Sequence, residues 1–206
     1  MSLATPQRHI KTAFPTAPTS REGWGRFAMW LFLASDGMTF SGLLAGHLAL
    51  RMQNANWPSP TDHLALTLGV IMTTLLLGSS VTMVKALTAA RENAQQQFSR
   101  FLLLTIMAGV LFLILQAYEW SHLLRNGMTI SANPWGASLF GATFYTLTGF
   151  HGLHVLIGVI YLACIFVGGR KRLLFSAYQE RIEIAGLYWH FVDIVWICVF
   201  TCIYLL

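Results

Sequence analysis

Five long apolar stretches, at about 26–50, 64–90, 99–124, 137–168 and 182–206, take up most of this 206-residue chain. Each meets the ~20 residues that a helix needs to cross the hydrocarbon core of a bilayer. In that solvent the backbone must satisfy its own hydrogen bonds, and a lone apolar stretch can do so only as a helix. The fold class that follows is an all-α polytopic membrane protein, a five-helix transmembrane bundle. Composition agrees, since 10% of the residues are charged against about 25% in a soluble domain. The fourth stretch would be about 48 Å long as a helix, so it must tilt or protrude. Neither a repeat nor room for a soluble domain is evident. Residues 23–206 read as one membrane domain behind a polar tail at 1–22, which carries Pro6, Pro15 and Pro18 and no apolar core of a signal peptide.

The net charge of +5 is a matter of placement. Arg8, Lys11, Arg21 and Arg26, then Lys85, Arg91 and Arg100, then Arg170, Lys171, Arg172 and Arg181 all fall on one side of the five spans. Only Arg51 and Arg125 fall on the other. Basic residues concentrate on the cytoplasmic side of membrane proteins, which predicts a cytoplasmic N-terminus and an outside C-terminus. The basic excess then serves topology and anionic headgroups, and no folded basic surface is left for nucleic acid. Cys164, Cys198 and Cys202 lie in apolar runs without a CxxC pair, so they read as small buried hydrophobes. Trp24, Trp57, Trp120 and Trp135 fall near span ends, where aromatic belts form. Gly42 and Gly46 form a GxxxG, a spacing that permits close helix approach.

Ionisable groups at membrane depth are costly and face a bundle interior, a cavity or a partner. Asp36 sits about ten residues into the first stretch, where it is either a protonatable group or one end of a static hydrogen-bond network. Gln116, Glu119 and Trp120 share a face of the third helix by their spacing, with His122 close behind. Glu119 then falls near the outer boundary, half-solvated and structural. His151 and His154 share a face of the fourth stretch, and His190 and Asp193 share one in the fifth. Paired histidines on a helix suit a metal or a haem. An inter-helix hydrogen-bond network or a lipid headgroup is the stronger reading, there being no Glu-x-x-His repeat of the di-iron type, and their titration near neutrality keeps a proton-handling role open.

Four blocks carry a resemblance. WGRFAMWLFLASDGMTFSGLL at 24–44, LILQAYEW at 113–120, TGFHGLHVLIGVIYL at 148–162 and the terminal LYWHFVDIVWICVFTCIYLL are similar, in order, to helices of subunit III of the haem–copper terminal oxidases. With five spans the chain resembles the family's shorter bacterial form, which lacks the first two of seven helices. The resemblance implies a non-redox, non-catalytic subunit of a proton-pumping cytochrome c or ubiquinol oxidase in the bacterial inner membrane. It implies direct packing on subunit I and association with subunit II. Haem and copper would sit in those partners, with no metal or other cofactor in this chain, and phospholipid would be bound. Asp36 becomes the proton-uptake candidate. Gln116, Glu119, His122, His151, His154, His190 and Asp193 become a structural polar or lipid-contact network. The family's cytochrome c oxidases often carry a buried glutamate where this chain has Asp36, which keeps the charge and shortens its reach by a methylene. An accessory subunit of a nitric oxide reductase and a histidine-ligated membrane electron carrier are the alternative readings.

Overall fold

A computed structural model describes residues 21–59, 64–169 and 179–206. Five helices account for nearly all of them: α1 (Arg21–Gln53), α2 (Leu66–Arg91), α3 (Gln95–Arg125), α4 (Ser138–Gly169) and α5 (Gln179–Phe200). The last runs into a π-helical turn at Thr201–Leu205. All five are long and apolar enough to cross a membrane, and the described residues form no strand. The tail at 1–20 and the basic trio Arg170, Lys171 and Arg172 lie outside the described residues.

The packing pattern is written in the spacing of buried residues. On α2 these are Gly69, Met72, Leu76, Ser79 and Met83, and on α3 they are Phe98, Leu102, Thr105, Gly109, Phe112, Gln116, Glu119 and Leu123. Alternating steps of three and four are the coiled-coil pattern, which keeps one seam of each helix against its neighbour. Helices α2, α3, α4 and α5 thus close a four-membered ring, each packed on the next, and α1 lies against α4 and α5. The seam of α1 is narrow: Leu33, Asp36, Phe40 and His47 are buried on it while Trp30, Leu31 and Met38 face outward. Two polar groups therefore stand on the one stripe by which α1 holds the bundle.

Helix α5 supplies the knobs that fill the ring. Trp189 is fully buried and its indole Nε1 donates to Ser79 Oγ of α2 at 2.9 Å. Its ring lies over Gly109 of α3 and Gly158 of α4, where an added Cβ would stand 2.6 and 3.0 Å from indole carbons. Trp196 repeats this a heptad later, with Nε1 donating to Thr73 Oγ1 at 3.0 Å and its ring against Phe112 and His151. Indole and phenol groups bury large areas while each retains one polar atom that needs a partner, and small hydroxyl residues on α2 meet that need. Tyr204 completes the series. Eight residues past Trp196, an α-helix would turn it about 80° off the Trp196 face. The π-turn takes up the extra residue and returns its side chain to the ring interior.

Two local expectations fail. An added Cβ at Gly42 or Gly46 would meet nothing within 4 Å, so the GxxxG does not pack within this chain. Cys164 and Cys198 are exposed and Cys202 only half-buried. Small residues satisfy both seams and lipid-facing surfaces, and their identity alone does not say which.

Candidate polar sites within the bundle

Buried polar groups occur at several levels along the bundle, each tying two helices together. At the end with the basic loops, Glu183 of α5 lies between Arg26 of α1 and Arg91 of α2, at 3.3 and 3.1 Å. Both arginines are more than half exposed, so these pairs contribute little stability, about 0–1 kcal/mol each. They line a groove of about 310 Å3 with Trp30, Leu187 and His190.

One level deeper, the spacing expectation for His190 and Asp193 holds and acquires a partner. Ser80 Oγ of α2 donates to Asp193 Oδ2 at 2.6 Å, and His190 Nδ1 lies 2.8 Å from the same hydroxyl. Since the serine proton goes to the carboxylate, the imidazole must donate at Nδ1. Ser80→Ala leaves both groups without that link. A hydrogen bond to a charged group contributes about 1.5–3 kcal/mol in water-soluble proteins, and membrane measurements run nearer 0.6–2. We expect a loss of about 1–2 kcal/mol, read as a lower temperature of irreversible subunit loss from the complex, with Ser80→Thr close to the parent. A Ser80→Ala complex as heat-resistant as the parent would refute the link.

Asp36 and His154 meet across α1 and α4. His154 Nε2 stands 3.3 Å from Asp36 Oδ2, both side chains 9% exposed. The carboxylate oxygen lacks a well-aligned hydrogen bond, so the contact is electrostatic in character. The ring's Nδ1 faces the Phe150 carbonyl at 2.8 Å, which only an N–H can satisfy. With that hydrogen committed, Nε2 is the nitrogen left to face the carboxylate. The pair therefore brings two protonatable groups within 3.3 Å of each other. Phe40 packs edge-on against the imidazole, and Tyr188 Oη donates to the His154 carbonyl at 2.9 Å.

His151 does not join it. Its ring is completely buried between Phe112 and Trp196, and both nitrogens lack partners. The two histidines that share a helical face in sequence thus address different neighbours. Among the described residues no three His, Cys, Asp or Glu side chains converge as a metal site.

Toward the other end, Gln116 Nε2 donates to the Thr148 carbonyl at 2.6 Å and Trp120 Nε1 to Thr148 Oγ1 at 3.2 Å. Gly152 lies under the Gln116 amide and Gly149 under Trp120, so the glycines serve close packing of α3 on α4. Trp120, which falls near a span end, is half-buried in that contact. Glu119 points elsewhere, accepting from Tyr204 Oη at 2.6 Å. It is 3% exposed, which overturns the expectation of half-solvation: the π-turn carries a phenol over it. His122 is exposed, with the Asn126 amide 3.4 Å from Nδ1.

Sequence reading passed over Ser80, Tyr204, Glu183 and His47. His47 is 1% exposed, and its Nδ1 lies 2.9 Å from Thr143 Oγ1 of α4. Its signal was available, because it lies eleven residues after Asp36, on the same helical stripe. Ser80 carried no such signal, since a serine in an apolar helix ordinarily bonds its own backbone.

The sequence profile of the family described as cytochrome c oxidase subunit III matches residues 17–206. A Bacillus subtilis protein named cytochrome c oxidase subunit 3 is 38% identical over 204 residues, covering 97% of this chain and 96% of the relative. Proteins of the same name from Alkalihalophilus pseudofirmus and Corynebacterium diphtheriae are 34% identical over 189 residues and 33% over 205. They cover 90% and 98% of this chain, and 88% and 94% of their own length.

Proposed function

Because this chain belongs to the cytochrome c oxidase subunit III family, we propose that it is the non-redox subunit that sustains proton delivery in a bacterial haem–copper oxidase. The chain is a multi-pass membrane subunit of such an oxidase. In the function proposed it packs on subunit I, supports proton uptake and holds lipid while haem and copper stay with its partners. The basic loops would face the cytoplasm, which puts the Arg26–Glu183–Arg91 groove on the uptake side.

The observation that carries the proton reading is the Asp36–His154 contact, 3.3 Å long and buried between α1 and α4. A buried carboxylate beside an imidazole can hold a proton at either partner, and at membrane depth such pairs mark proton relays. The lipid reading draws on the basic groove, where two arginines face one glutamate across apolar walls. An anionic headgroup would balance the surplus positive charge.

The test is a comparison of the oxidase purified with and without this chain. The expected result is a similar initial rate, with faster inactivation over successive turnovers when the chain is absent, and haem and copper content unchanged. Loss of haem on removing this chain alone would overturn the non-redox assignment.

A further inference from the structure

A second polar pocket lies at the end of the bundle opposite the basic loops. It has a volume of about 280 Å3 and opens between the start of α2 and the end of α3. Leu64, Ala65, Leu68 and Leu123 form its walls, and Tyr118, Glu119 and His122 are the residues with polar groups in its lining. Glu119 is held there by Tyr204, which bonds Oε2 and leaves Oε1 buried without a partner. A buried carboxylate oxygen without a donor is costly, so Glu119, which lines the pocket, is short of one hydrogen-bond donor, preferably cationic.

We propose that this pocket binds the headgroup of an aminophospholipid, its primary ammonium donating to Glu119 Oε1. Depth supports a membrane lipid. Helix α3 has 31 residues and is roughly 46 Å long, against a hydrocarbon core of ~30 Å, so about 8 Å projects at each end. Glu119 is six residues before the helix end, about 9 Å in, at the level where headgroups begin. Donor and acceptor order supports a zwitterion. The buried end of the pocket offers an acceptor. At the exposed end stands His122, whose Nδ1 faces the Asn126 amide nitrogen at 3.4 Å, which assigns the ring hydrogen to Nε2. Arg125 is exposed three residues further along. Ammonium on Glu119, with phosphate accepting from His122 and Arg125, uses each group in its own sense, and the leucine walls suit the lipid's apolar stem. A choline headgroup has no N–H to give, and an anionic headgroup would meet a carboxylate. A bare metal ion would find leucine where further ligands are needed.

The inference goes beyond the support role above and does not depend on lipid in the basic groove. Its test uses the intact oxidase in nanodiscs of mixed phosphatidylethanolamine, phosphatidylcholine and phosphatidylglycerol, followed by detergent extraction and lipid counting by mass spectrometry. The parent complex is expected to retain phosphatidylethanolamine over phosphatidylcholine. Glu119→Gln keeps the shape but can serve only one of Tyr204 and the ammonium, and should lower that preference on the order of tenfold, as for loss of one charge-assisted bond. Exposed His122→Ala preserves packing and should lower retention severalfold even where Glu119→Gln fails to assemble. Equal retention of the two lipids by the parent, or unchanged retention in His122→Ala, would overturn the proposal. So would a carbodiimide cross-link from Glu119 to a lysine of a neighbouring subunit, or a zinc ion bound one-to-one and lost in Glu119→Gln. Phosphatidylglycerol is counted separately. Its absence with phosphatidylethanolamine retained would count against lipid in the basic groove and leave this site standing.

Discussion

Gly109→Leu is expected to remove this subunit from the assembled oxidase. A Cβ at position 109 would stand 2.6 Å from the Trp189 indole and 2.6 Å from Val159 Cγ2, closer than two carbons can approach. Neither neighbour is a loose end. Trp189 is completely buried and anchored by its bond to Ser79, and Val159 is 8% exposed on the seam of α4. Relief therefore requires α3 to move away from α4 and α5 together, opening the four-helix ring at its centre. Overpacking by a methyl or two costs about 1–3 kcal/mol, and leucine adds four carbons. Against total stabilities of about 5–15 kcal/mol, the alanine variant should survive with reduced heat resistance and the leucine variant should not. Stoichiometry of the subunits in the purified complex reads this directly. Val159→Ala in the same chain should partly rescue Gly109→Ala by vacating one of the two clashes. A full complement of Gly109→Leu subunit in the complex would show that α3 does not pack there as described.

Gly109 also marks the limit of what the sequence discloses. Five spans were legible because the bilayer's thickness and its dryness constrain length and composition more than shape, and those constraints act residue by residue. The pairing of His190 with Asp193 was legible because both stand on one helix at fixed spacing. Ser80, which makes that pair a site, belongs to another helix more than a hundred residues away, and no local pattern announces it. The same holds for Tyr204 over Glu119. Helical spacing grouped Gln116, Glu119 and Trp120, yet only Gln116 and Trp120 meet Thr148, and nothing local warned that a π-turn at the far terminus would take up and bury Glu119. His151 and His154 show the converse failure. Spacing put them on one face, and the rings of Phe112 and Trp196 on one side and the Asp36 carboxylate on the other gave them different partners. Gly42 and Gly46 fit a packing motif that their own chain does not use.

The largest functional effect is expected at Asp36, and the design must separate holding a proton from holding α1. Asp36→Leu leaves His154 facing an apolar group across a dry contact. The cost of stranding a buried partner reaches about 3–5 kcal/mol in soluble proteins, but membrane interiors supply other partners before folding and bring this nearer 1–2. On that smaller figure the subunit should still assemble, because α1 also holds through Leu33 and Phe40 on the same stripe. Asp36→Asn is the milder change. It keeps the volume and can still bond Nε2 of a neutral His154, but it cannot take the proton. Both variants should assemble, with proton uptake slowed and inactivation hastened during sustained turnover, while a brief initial rate stays near the parent. The decisive variant is Asp36→Leu with His154→Leu. If the pair only ties α1 to α4, two apolar residues in its place restore heat resistance and turnover lifetime together. If the pair carries a proton, heat resistance returns and lifetime does not. Recovery of both would assign Asp36 to packing, and the proton-uptake role proposed for this subunit would need another carrier.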